Sequence, residues 1–336
     1  MRHPIKARQC ATMKHVRGDH LPEVRTVASE QHQRSLQPQA ERLSASSHEG
    51  EQAVAEPLTA HMSNTSAPSN PQFAIIRLIR YHYLIGQLVK REVLVKYRGS
   101  LLGVGWSFLY PLLLLLAFTM VFGGVFGGRW SEAESSRDGM EMALFIYCGL
   151  AVFTPFSEVI TSSPRLLIAN QNFIKKIVFP VEILPLVAVL AAMIHCAVHL
   201  LLLAGTALLA GHSSASMLMA PLVLLPVWLF TLGAAWFIAA AGAYVRDLAH
   251  GMPVLAQFLM FMLPVFYPAT AAPGVLLTLN RVNPLALAIE DLRRTLLQGE
   301  SPVWTHWCAS LLAGVVAAVA GYAFFMRCRE EFADVV

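Results

Sequence analysis

His195 and His199 stand one helical turn apart, so a single helix face presents both imidazoles. Inside a membrane such a pair suits a metal or a proton relay, or it forms interhelical hydrogen bonds, which is the expectation here. Other chemistry finds little support. The chain has five aspartates, no Asp-x-Asp to hold a sugar-nucleotide metal, and no carboxylate pair or Ser/His/Asp set placed for acid–base or nucleophilic work. It has no Gly-x-x-x-x-Gly-Lys-Ser/Thr phosphate loop, and no Gly-Lys dipeptide occurs at all. Its five cysteines form neither a CxxC pair nor a zinc spacing. Cys148, Cys196 and Cys308 lie in or beside apolar runs, where cysteine acts as a small hydrophobe. These features weigh against a membrane-embedded glycosyltransferase or acyltransferase.

What must position the polar residues is a set of apolar helices. Hydrophobic residues make up 56% of the chain and charged residues only 14%, with a mean hydropathy of +0.54. A soluble domain carries about 25% charged residues, so lipid must solvate much of this surface. The net charge of +4 is too mild to argue for nucleic acid. Six runs approach the ~20 residues that cross a bilayer: 104–126, 142–161, 183–210, 217–244, 252–267 and 304–326. The expected fold is therefore an all-α integral membrane protein with six transmembrane helices.

Residues 1–72 contain no Phe, Tyr or Trp and are rich in Gln, Ser, His, Glu and Arg. Such a segment cannot offset its ordering entropy, so a disordered cytosolic extension is expected there, with the membrane domain at 73–336. Met62, followed by Ser-Asn-Thr-Ser, is read as the true start of translation. Residues 73–97 carry an apolar stripe at helical spacing that includes Ile85, Leu88, Val89 and Val93. Arg77, Arg80, Lys90 and Arg91 lie largely off the stripe, as expected of an amphipathic helix in the membrane interface. A soluble helix packed on a partner is the alternative.

Charge sets the orientation. With the N-terminus inside, the cytosolic segments hold Arg77, Arg80, Lys90, Arg91, Lys96, Arg98, Arg165, Lys175, Lys176, Arg246, Arg327 and Arg329. The outer segments hold Arg129, Arg137, Arg281, Arg293 and Arg294. Both termini are expected to be cytosolic. The loop with Arg281, Arg293 and Arg294 runs against the bias, so it is expected to fold back into the membrane as a re-entrant element. Within it Asn283-Pro284 is a helix start and Gly299 a terminator.

Several motifs remain. Arg91-Glu-Val-Leu-Val-Lys96-Tyr97-Arg98-Gly99-Ser-Leu-Leu-Gly103-Val-Gly-Trp106 offers basic groups to anionic headgroups and glycines for a sharp turn into the bilayer. Asn170-Gln-Asn172-Phe173-Ile-Lys175-Lys176-Ile-Val-Phe-Pro-Val-Glu182-Ile-Leu-Pro185 overlaps a short segment, Pro164–Pro180, that is polar, basic and flanked by prolines. An amphipathic helix there could dock in a groove of a partner. Arg246-Asp247 occupies a later cytosolic turn, and the chain ends in Glu331-Phe-Ala-Asp-Val-Val336. With Phe156-Ser-Glu158, Asn283-Pro-Leu, Glu290 and Arg293-Arg294, these runs in this order resemble the ABC-2 type permeases of polysaccharide exporters, which carry O-antigen, capsule or teichoic-type polymers. Val181-Glu182 departs from the Arg-Glu frequent in that family.

The resemblance implies a permease subunit that exports a lipid-linked polysaccharide across the bacterial inner membrane. It also implies a homodimer paired with two separate ATPase subunits, which would bind the ATP and magnesium, so no cofactor or metal is expected on this chain. Asn170, Asn172, Phe173, Lys175, Lys176, Glu182, Arg246 and Asp247 would couple to the ATPase. Arg91, Lys96, Tyr97, Arg98, Gly99, Gly103 and Trp106 would form an interface or gate motif. Tyr110, Phe118, Phe122 and Phe126 recur at multiples of four, and either line a glycan channel or form a lipid-facing or packing stripe. Trp130, Trp304, Trp307 and Tyr267 suit interface anchors. Efflux of a drug or small lipid is the alternative within transport.

Overall fold

The computed structural model describes residues 81–121, 139–171 and 180–332. The expected extension at 1–72, and with it the reading of Met62 as a start, lies outside these residues. Every regular element among them is helical. We number these α1 His82–Lys96, α2 Trp106–Thr119, α3 Gly139–Ser162, α4 Ile183–Leu209 and α5 Leu225–Tyr244. α6 Leu248–Met262, α7 Gly274–Val282, α8 Pro284–Arg293 and α9 Trp304–Cys328 complete the α-helices longer than one turn among the described residues.

Among the described residues, four helical stretches are long and apolar enough to cross a membrane: Gly139–Ala169, Ile183–Leu209, Ala215–Tyr244 and Trp304–Glu331. Gly103–Thr119 and Leu248–Met262 are apolar but shorter. α6 has 15 residues, about 22 Å at ~1.5 Å per residue, against a hydrocarbon core of about 30 Å. The chain turns extended at Leu263, just before Pro264, so the helix begins four residues before the apolar run 252–267 and ends five residues before it does.

α3 is the central helix, with 83% of its most apolar window buried against 22% for α9. Its residues Ala143–Phe153 are all buried, and α2, α4, α5, α6 and α8 pack around it. α9 rests chiefly on α5. Small residues make this seam: a Cβ on Gly233 would meet the backbone of Ala317, one on Gly321 the backbone of Gly233, and one on Gly314 the Pro226 carbonyl. Gly314-x-x-x-Ala318 and Ala317-x-x-x-Gly321 are small-xxx-small pairs that let backbones approach closely in lipid.

α1 keeps part of the predicted stripe. Ile85 and Val89 form one apolar cluster with Ile183 and Val187 of α4, with Leu88 and Val93 packed against it. Lys96 and Tyr97, at the other end of α1, meet His195. α1 thus follows the first half of α4 in the same direction, and α4 covers its apolar stripe.

α8 begins as expected. Asn283 accepts a hydrogen bond from the Leu285 amide at 3.0 Å and Pro284 opens the helix. A π-helical turn continues it over Arg294–Gln298, and Gly299 ends it at φ +71, a backbone conformation that glycine adopts without steric cost.

Candidate functional site

Two glycines shape the turn between α1 and α2. Gly99 has φ +85 and Gly103 φ +50, both left-handed, so the chain reverses within a few residues. The Trp106 indole N–H donates to the Ser100 hydroxyl at 2.7 Å and closes the turn. Beside it runs an open groove of about 610 Å³ lined by Lys90, Arg91, Leu94, Val95, Tyr97, Arg98, Gly103 and Val104. Three cations next to aliphatic walls suit an amphiphile with an anionic head.

Residues far apart in sequence meet beneath this turn. Lys96 Nζ donates to Glu158 Oε1 at 2.8 Å, and the other carboxylate oxygen lies 3.5 Å from His195 Nδ1. Lys96 Nζ is 3.4 Å from the same nitrogen. Tyr97 Oη lies 3.2 Å from His195 Nε2, its ring set edge-on to the imidazole. Burial and the Glu158 carboxylate push the Tyr97 phenol above its ordinary pKa, which keeps it a neutral O–H. One turn along α4, His199 Nδ1 lies 2.9 Å from Tyr147 Oη of α3. Both histidines therefore take part in contacts between helices, as expected.

The expected re-entrant region has a polar anchor. Arg293 is 1% exposed. It donates from Nε to the Phe145 carbonyl at 3.1 Å, from Nη2 to the Val265 carbonyl at 2.9 Å and from Nη1 to Glu290 at 2.9 Å. Its guanidinium lies over the Phe145 ring, 3.5 Å from the centroid. Glu290 also accepts from the Ala269 amide at 3.0 Å. One side chain thus ties α8 to α3 and to the segment after α6. The adjacent Arg294 pairs with Glu300 at 2.5 Å. The sequence marked these arginines as charges on the wrong side and as part of the family-like motifs, without indicating their partners.

At the opposite end of the helices, Glu182 is buried at the start of α4, its Oε2 3.7 Å from Arg329 Nη1. The Trp236 indole donates to the Glu182 carbonyl at 3.0 Å. Tyr244 donates to Glu331 at 2.7 Å, and Phe332 packs on Phe325 with ring centroids 5.2 Å apart. The C-terminal segment therefore braces the start of α4 and the end of α5. Asn170 donates its amide to the Leu166 carbonyl at 2.9 Å. Arg246 and Asp247 lie exposed in the turn between α5 and α6.

Asn172, Phe173, Lys175 and Lys176 lie outside the described residues, as do Phe122, Phe126 and Trp130. Of the aromatic row, Tyr110 is exposed, while Phe118 packs partly against the core. Tyr267 donates to the Met262 carbonyl at 2.8 Å and Trp307 to the Leu222 carbonyl at 2.9 Å.

Comparison with known proteins places this geometry. Residues 83–297 match the family model described as ABC-2 type transporter. This chain belongs to that family. It is similar to an O-antigen export system permease protein, RfbA, of Myxococcus xanthus, with 26% identity over 270 residues that cover 77% of this chain and 99% of the relative. Two proteins of the same name from Klebsiella pneumoniae are 24% and 23% identical, each covering 75% of this chain and 95% of the relative. The matched region contains α1 to α8 apart from the first residue of α1, and so holds the glycine turn, the Lys96–Glu158–His195 contacts and the Arg293 anchor.

Proposed function

We propose that this chain is the permease subunit of an ABC transporter that exports an O-antigen-type, lipid-linked polysaccharide across the bacterial inner membrane. The observation that carries the reading is its alignment with O-antigen export permeases over nearly their whole length. The cationic, apolar-walled groove at the glycine turn supports it, because a lipid carrier with an anionic head needs both properties at one place. Arg91, Lys96, Tyr97, Arg98, Gly99, Gly103 and Trp106 form the gate motif in this reading. Tyr110, Phe118, Phe122 and Phe126 offer ring faces to sugars.

The architecture we propose has six membrane crossings, the shorter helices α2 and α6 supplying two of them. α7 and α8 form the re-entrant element on the outer side. α4, with 27 residues, is about 40 Å long and exceeds the ~30 Å core. Its first turns then stand in the cytosolic interface with α1 along them, and both termini are cytosolic. The permease domain in this reading spans 73–336, with residues 1–72 ahead of it on the cytosolic side. Two copies pair with two ATPase subunits, which hold the ATP and magnesium. Asn170, Asn172, Phe173, Lys175, Lys176, Glu182, Arg246 and Asp247 transmit ATPase motion, Glu182 through the C-terminal brace.

The test is mass spectrometry of lipid-linked glycans in cells depleted of this protein. Accumulation of a finished, carrier-linked polymer with loss of surface glycan is the expected result. Unchanged lipid-linked pools and unchanged surface glycan would overturn the polysaccharide reading in favour of efflux of a small molecule.

A further inference from the structure

No residue from Lys90 to Tyr110 is buried. Apolar packing therefore holds α1 as far as Val93, chiefly through Ile85 and Val89, and holds α2 through Pro111 and Leu115. The turn between them shows outward-facing Leu101, Leu102 and Val104. The side-chain ties that run from its neighbourhood to α3 and α4 are polar: Lys96 on Glu158, and Tyr97 on His195.

We propose that Glu158 and His195 form a polar latch that sets the position of the glycine turn, with His195 a positioning residue acting through Tyr97 and Lys96, and that the turn moves by opening this latch. The chemistry suits a reversible contact. The Lys96 and Glu158 side chains are 45% and 35% exposed, so neither charge is enclosed by this chain's own atoms, and parting them strands no ion in the protein core. An apolar lock would expose hydrophobic surface when opened and would resist more strongly. Histidine fits the position because its two ring nitrogens face in different directions. With the Tyr97 hydroxyl donating to Nε2, the Nδ1–H faces Glu158 and so holds the carboxylate against Lys96. An alanine there frees both ends of the contact. A glutamine keeps a polar atom near the Nε2 position and so retains the Tyr97 half.

The latch concerns how the turn is held rather than what crosses the membrane, so its test needs no substrate. Hydrogen–deuterium exchange is followed by mass spectrometry on the full chain in lipid nanodiscs, reading peptides from residues 97–105. Glu158→Gln, Lys96→Met and His195→Ala are each expected to speed exchange there by about tenfold, equivalent to roughly 1.4 kcal/mol. The charge-swapped pair Lys96→Glu with Glu158→Lys restores slow exchange, and His195→Gln restores it in part. Tyr97→Phe deletes one hydroxyl without disturbing the helices and gives a smaller rise, about threefold. Unchanged exchange in the single variants, a swapped pair as fast as the singles, or acceleration spread equally through α3 and α4 would overturn the latch.

Discussion

Arg293 shows how one side chain can hold a region together. Its nitrogens are spent on the Phe145, Val265 and Tyr267 carbonyls and on Glu290, so truncation takes the donor from the two non-helical carbonyls and removes the cation beside a carboxylate. Arg293→Ala should therefore destabilise the chain by about 3 kcal/mol or more, measured by denaturant unfolding in detergent. Arg293→Lys should recover only part of this, because an ammonium cannot reproduce the planar fork; equal stability of the lysine variant and the native chain would contradict the account. Asn283 is the milder case. Its cap satisfies one amide, and Asn283→Ala should cost about 1 kcal/mol in the same measurement while Asn283→Ser costs almost nothing. The two residues also differ in how far sequence could identify them. An Asn-Pro start is a local signal and was readable. The partners of Arg293 lie as many as 148 residues away, and Lys96 and Glu158 are 62 residues apart. Residue types pointed to chemistry at these positions, but only the fold brings the partners together.

At the scale of elements, the seam between α5 and α9 is the most exposed to substitution. α9 is 22% buried in its apolar window and leans chiefly on α5, so the glycine contacts carry much of its attachment. Gly233→Leu or Gly321→Leu would drive a side chain into a neighbouring backbone, and α9 should separate from α5. A cysteine pair across the seam, which crosslinks in the native chain, should then fail to do so. Gly205→Leu is the control: a Cβ at Gly205 meets nothing within 4 Å, and crosslinking should persist. The small-xxx-small spacing of α9 was present in the sequence, yet spacing alone does not say which helix it meets. Hydropathy also marked the four long helical stretches but misplaced the ends of α6. α6 ends where the chain turns extended before Pro264, and composition still reads as apolar beyond it. α1 is a related case, because its stripe has the same pattern whether lipid or α4 covers it.

For the whole molecule the question is which way it sits in the bilayer, and the anchor bears directly on it. The orientation rule works through free cations in short loops. Of the outer arginines that opposed it, Arg293 is buried on carbonyls and Glu290, and Arg294 is paired with Glu300. Two of the outer charges are thus paired internally, as are Lys96 with Glu158 and Arg329 with Glu182 on the inner side, so the excess of inner cations is unchanged. The packing agrees in direction. The end of α3 and the start of α4 lie on the same side as the α5–α6 turn and the C-terminal segment, since Glu182 meets Arg329 and Tyr244 meets Glu331. These elements carry Arg165, Arg246, Arg327 and Arg329, whereas the loops at Gly211 and Gly299 share the other side through the Ser214–Gly299 contact. In a chain freed of its five native cysteines, Ser213→Cys and Ser301→Cys should react with a membrane-impermeant maleimide in intact spheroplasts. Gln171→Cys and His250→Cys should react only after the membrane is opened. The reverse pattern would invert the topology and place the cationic groove on the wrong face to receive a substrate made in the cytosol. A label that reached all four positions from outside would mean that the helices do not cross the membrane as proposed.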